Sequence, residues 1–92
     1  MNKAFLITYD LRQPGRDYAS MYEAIKKNRA WWHYLESVWI IVTTETASDI
    51  WNTLYQHMDK NDFLMIIEVR NNVQGWLPKD AWDWIAKNVP AA

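Results

Sequence analysis

Lys3-Ala-Phe-Leu-Ile-Thr-Tyr-Asp-Leu-Arg-Gln-Pro-Gly-Arg-Asp17 decides how the rest of the chain is arranged. From Ala4 to Tyr9 every residue is hydrophobic or β-branched, with Phe5, Ile7 and Tyr9 on one side of an extended backbone and Ala4, Leu6 and Thr8 on the other. Such a run predicts a central strand covered on both faces. Asp10 ends it, Pro14-Gly15 is a turn pair, and Asp17 offers an N-cap carboxylate to a helix with apolar positions Tyr18, Met21, Tyr22 and Ile25. That spacing suits a helix lying on a sheet. Lys26, Lys27 and Arg29 favour its C-terminal end, and Asn28 is expected there as a left-handed cap.

Further along, Trp31 to Leu35 and Val38 to Thr43 predict two strands joined through Glu36-Ser37 as a hairpin. Thr46 with Asp49 forms a short capping box for a second helix, whose apolar positions are Ala47, Ile50, Trp51, Leu54 and Met58. Asp59 to Asp62 predicts a polar turn in which Asp59 and Asp62 act as turn and cap residues rather than cation ligands. Phe63 to Val69 then predicts a fourth strand, apolar enough to be central or covered on both faces, although a ferredoxin-like order puts it at the sheet edge, where it needs a second copy or the tail of the chain as partner. Strand, helix, strand, strand, helix, strand is the order of an α+β, ferredoxin-like βαββαβ fold, with two helices on one face of a four-stranded antiparallel sheet. Residues 1–70 make that core. Residues 71–92 add a Trp-rich extension with a short helix from Lys79 to about Asn88, opened by Pro78 and carrying Trp82, Ile85 and Val89 on one face. So short a helix needs something to dock on.

The 92 residues suffice for one domain with a single core. Seven tryptophans in a chain this short predict a surface that is not covered alone, and hence a two-fold homodimer. The net charge of −1 excludes the simplest nucleic-acid binder, one with a strong overall positive charge. A local cationic patch remains, built from Arg12 and Arg16 in the first loop and from Lys26, Lys27 and Arg29. Without cysteine there is no disulfide, thiol catalysis or thiolate metal site. The apolar run after Lys3 is too short for a secretory signal and meets an acid, and no segment is long enough to span a membrane, so a cytoplasmic protein without a membrane partner is expected.

The strand end Tyr9-Asp10-Leu11, the loop arginines Arg12 and Arg16, and Ser37-Val38-Trp39 in the third strand together resemble the CRISPR-associated Cas2 family and its SinR-like relatives over about residues 3–70. The segments around Trp31-Trp32-His33 and Gly75-Trp76-Leu77-Pro78 look closer to the SinR-like branch. The resemblance implies a homodimer in prokaryotic defence, acting as a metal-dependent nuclease or binding RNA or DNA. Asp10 would be the catalytic residue and the ligand of Mg2+ or Mn2+, contributed once by each subunit. Tyr9 and Ser37 would support it.

Each candidate also has a plainer reading. Asp10 is either a cation ligand, with its mate or with Asp17, or a strand-end acceptor for the following turn. Arg12 and Arg16 either meet phosphate oxygens or form a solvated loop, paired with Asp17. Trp31, Trp32, Tyr34 and Trp39 either stack on bases or build core and dimer interface, and the acid Glu36 beside them favours the second. His33 and His57 lie in no ligand motif, and Ser20, Ser37 and Ser48 in no nucleophile motif. Two functions follow: a nuclease or nucleic-acid binder centred on Asp10, Arg12 and Arg16, or a non-catalytic assembly module that binds a protein partner through the sheet and the Trp-rich helix.

Overall fold

Strand β1, Lys3–Asp10, is hydrogen-bonded on both sides, antiparallel to β3 (Val38–Thr43) and to β4 (Phe63–Val69). Strand β2 (Ala30–Leu35) pairs with the outer side of β3, with a register shift between Trp32 and Leu35, so the sheet order is β2-β3-β1-β4. Helices α1 (Ala19–Lys26) and α2 (Ala47–Leu54) complete the βαββαβ order, a 3-10 turn over Tyr55–His57 extends α2, and α3 (Lys79–Asn88) follows β4. The chain is thus an α+β, ferredoxin-like fold with one added helix. This computed structural model describes residues 1–13, 15 and 17–92.

The alternation along β1 sorts the core into two layers. Phe5 and Ile7 join Trp39 and Ile41 of β3 beneath Met21 and Ile25 of α1 and Ile50 and Leu54 of α2. Ala4 and Ile40 point to the opposite face, where Trp32, the α3 residues Ala81 and Ile85, and Val89 just after α3 cover them. The Trp-rich extension therefore docks on its own sheet, and the Trp32 indole N–H donates to the Ala81 carbonyl at 3.2 Å. A further tie comes from the Asn71 N–H, which donates to the Pro90 carbonyl at 2.7 Å. The expected face of α3 shifts by one position, because Ala81 rather than Trp82 is its buried first-turn residue, while Trp82 and Trp84 pack at the flanks.

Three local expectations need correction. Tyr18, not Asp17, occupies the N-cap position of α1, although Asp17 Oδ1 still accepts the Ala19 N–H at 2.9 Å and so serves the helix. Asn28 is not a left-handed cap, since no non-glycine among the described residues has a positive φ. It closes α1 through its side chain instead, donating from Nδ2 to the Ile25 carbonyl at 2.8 Å. Strand β4 takes the edge position that the ferredoxin-like order assigns it and is not covered on both faces. It is an edge strand, and Phe63, Met65 and Ile67 on the α3 side are 61%, 55% and 48% exposed. The reason is reach: α3 lies over β2, β3 and the start of β1 and stops short of β4 beyond Val69.

The Thr46 capping box forms as expected, with Thr46 Oγ1 accepting from the Asp49 N–H and Asp49 Oδ2 from the Thr46 N–H, both at 3.1 Å. The Thr46 backbone N–H first, and the Thr46 hydroxyl after it, hold the Asp49 carboxyl below its ordinary value. Gly15, at φ +83, makes the left-handed step of the first loop, which side-chain-bearing residues rarely adopt.

Candidate nucleic-acid interface

The end of β1 carries Asp10 out of the sheet beside Phe63, its partner in β4. Two residues later the chain folds back. The Arg12 Nε–H donates to Asp10 Oδ2 at 3.0 Å, and Nη2 lies 2.8 Å from the same oxygen. The guanidinium carbon sits 4.5 Å from the centre of the Phe63 ring, within cation–π range. Both charged side chains remain more than half exposed, so the pair contributes little to stability but much to orientation. Arginine has five N–H donors, and two of Arg12's are on Asp10, on a side chain that is half exposed.

Beneath this pair lies a carboxylate that sequence reading treats as a turn residue. Asp62 is buried and accepts the Arg12 backbone N–H at 2.7 Å, the Asp59 N–H at 2.8 Å, and the Tyr18 hydroxyl at 2.8 Å from each oxygen. One side chain thus ties the loop after β1, the start of α1 and the turn before β4 together. Local pattern holds no signal for it, since Tyr18 and Arg12 are 44 and 50 residues away. A turn acid just before an apolar strand is the only hint.

Tyr9 and Ser37 stand on the neighbouring side. The Tyr9 N–H donates to the Ser37 carbonyl at 3.2 Å, its hydroxyl donates to the Glu36 carbonyl at 3.3 Å, and that hydroxyl accepts the Trp39 indole N–H at 3.0 Å. Burial pushes the Tyr9 phenol up to about 12, against the opposing pull of the Trp39 bond and with help from Tyr22 and Glu36. It is a neutral hydrogen-bonding group at physiological pH, not a base. Tyr9, Asp10, Leu11, Tyr22, Glu36 and Ser37 line a shallow depression of about 250 Å³. Of the four aromatics considered for stacking, Trp32 and Trp39 are buried and Trp31 and Tyr34 are partly exposed. His33 stacks on Trp39 at 3.7 Å between ring centres, a packing role, and His57 Nδ1 lies 3.0 Å from Ser20 Oγ at the helix ends.

Arg12 and Asp10 are therefore brought together, Tyr9 and Ser37 lie alongside, and Asp17 is turned to α1. Arg16 lies outside the described residues. A hard divalent cation such as Mg2+ or Mn2+ takes about six oxygen ligands. Among the described residues no group of three His, Asp or Glu could hold one, and Asp10 is already bound by Arg12. As placed, Asp10 presents one carboxylate at this strand end, with its Oδ2 engaged by Arg12. No protein-family model matches the chain, and no curated protein matches it.

Proposed function

We propose that this chain is a Cas2-like, homodimeric module that binds the phosphodiester backbone of nucleic acid at the loop following β1. The observation that carries this reading is Arg12: its backbone is tied down by Asp62, its side chain is held on Asp10 and Phe63, and that side chain is still half exposed. A guanidinium fixed in this way suits phosphate oxygens, because its donor fork is oriented before the ligand arrives. Arg16, two residues beyond Gln13-Pro14 in the same loop, would add to the local charge.

The second copy is supported by the uncovered half of the sheet. Phe63, Met65 and Ile67 form an exposed apolar row directly beside Asp10, on an edge strand with no lysine, proline or bulge to protect it. Rows of this kind are where subunits meet. A two-fold pairing across it would set two Arg12–Asp10 pairs on one surface, doubling the cationic contacts available to a duplex. Cleavage with Mg2+ or Mn2+ would need the two Asp10 carboxylates to be joined by that pairing, which makes it a secondary expectation.

Fluorescence anisotropy with a labelled DNA duplex and an RNA duplex of the same sequence tests the reading. The expected result is binding that weakens with salt, and an Arg12→Ala variant with weaker binding and a salt slope reduced by about 1 per chain. Absence of salt-dependent binding by the wild-type protein to either duplex would overturn it. One observation favours the second reading, a protein-binding module: Trp76, 97% exposed, lines an apolar groove together with Trp32, Leu35, Val38 and Ile85. In that case Trp76→Ala, and not Arg12→Ala, would abolish partner capture.

A further inference from the structure

The role of Asp10 can be taken further, on the reading of Arg12 as a phosphate contact. We infer that Asp10 is the positioning residue of this site: its carboxylate oxygen holds the Arg12 guanidinium over Phe63, and it is not itself the ligand of a cation. Four contacts converge on this one arginine. Asp62 fixes its backbone N–H at 2.7 Å, Asp10 Oδ2 takes Nε–H at 3.0 Å and Nη2 at 2.8 Å, and the Phe63 ring supports the guanidinium at 4.5 Å. Without Asp10 the long side chain would regain its rotamers and swing into solvent, since a single cation–π contact at an exposed site is weak. The arrangement carries an electrostatic cost. The Asp10 charge offsets part of the attraction between Arg12 and a phosphate, so its contribution is geometric: it sets which donors face outward.

That cost makes the inference testable with two substitutions. Asp10→Asn and Asp10→Ala remove the same negative charge, but only asparagine retains an acceptor oxygen for Arg12. A cation ligand would be disabled by both. A positioning residue is rescued by asparagine. In titrations of a labelled DNA duplex, the Asp10→Asn variant is expected to bind about three- to tenfold more tightly than Asp10→Ala, and at least as tightly as the wild-type protein. The free proteins supply an independent readout, the Arg12 Nε–H resonance. It is expected to be resolved in wild type and Asp10→Asn and broadened by solvent exchange in Asp10→Ala. Asp10 is exposed at a strand end, so neither substitution threatens the core.

Equal affinities of the two variants, with the Arg12 Nε–H resonance unchanged in both, would overturn the inference. So would selective broadening of Asp10 by Mn2+ accompanied by release of Arg12 into solvent, which would restore the ligand role. Should the wild-type protein bind no duplex, the proposed function fails, while the comparison of Nε–H resonances still decides whether Asp10 positions Arg12.

Discussion

Trp39→Ala is expected to lower the melting temperature by about 15 to 30 °C, the largest effect of any single substitution considered. Trp39 is 1% exposed, fills the layer between β3 and α1, and touches Tyr22, Trp31 and His33 through its ring. Truncating a buried tryptophan costs about 3 to 5 kcal/mol in lost transfer energy and residual cavity. A chain of this size has a total stability on the order of 5 to 10 kcal/mol, and each kcal/mol moves its midpoint by about 4 to 8 °C. The indole N–H adds a second loss, because Tyr9 would be left without its donor at the end of β1. Trp31→Ala provides the comparison: Trp31 is partly exposed, and its removal should cost less than half as much. Urea unfolding of the two variants checks this. Equal midpoints would show that Trp39 does not carry the helix-side layer.

Asp62→Ala should have the next largest effect, about 3 kcal/mol, with consequences at the candidate interface. Its removal takes the Asp62 oxygens away from the buried Tyr18 hydroxyl and from the part-buried Arg12 and Asp59 amides. Leaving buried donors unpaired costs about 1 to 3 kcal/mol for each group that water cannot reach. Tyr18→Phe removes one donor and keeps the two amides on the carboxylate, so it should cost about 1 kcal/mol. Amide hydrogen exchange distinguishes a local from a global effect. In Asp62→Ala the Arg12 and Asp59 amides are expected to lose protection even where β1 and β3 keep theirs. If Asp62→Ala is no more costly than Tyr18→Phe and leaves the Arg12 amide protected, Asp62 does not hold this loop.

These effects mark the boundary between what local pattern carries and what it does not. The order of elements is legible because each has its own period and its own stop: the alternation of Phe5, Ile7 and Tyr9, the helical spacing of Ile50, Leu54 and Met58, and the Thr46–Asp49 box. Asp10 at a strand end is legible for the same reason. The exposure of β4 is not, since Phe63 to Val69 is as apolar as a buried strand and only the reach of α3 leaves it open. Nor is the destination of α3, because an apolar helix face does not say which side of a sheet it meets. Arg12 has two acids close in sequence, Asp10 and Asp17. Only the fold-back of the loop, together with the Ala19 amide that engages Asp17, selects Asp10. The Asp62 cluster joins residues more than 40 positions apart, and a turn acid just before an apolar strand is its one local hint.

Chemical-shift mapping of the isotopically labelled protein during titration with a DNA duplex locates the interface. The largest perturbations are expected at Arg12, including its Nε–H, with Asp10, Gly15 and Phe63 following and α3 unaffected. Perturbations confined to Trp76, Leu35 and the groove beside α3, with Arg12 unmoved, would contradict a phosphate site at the end of β1.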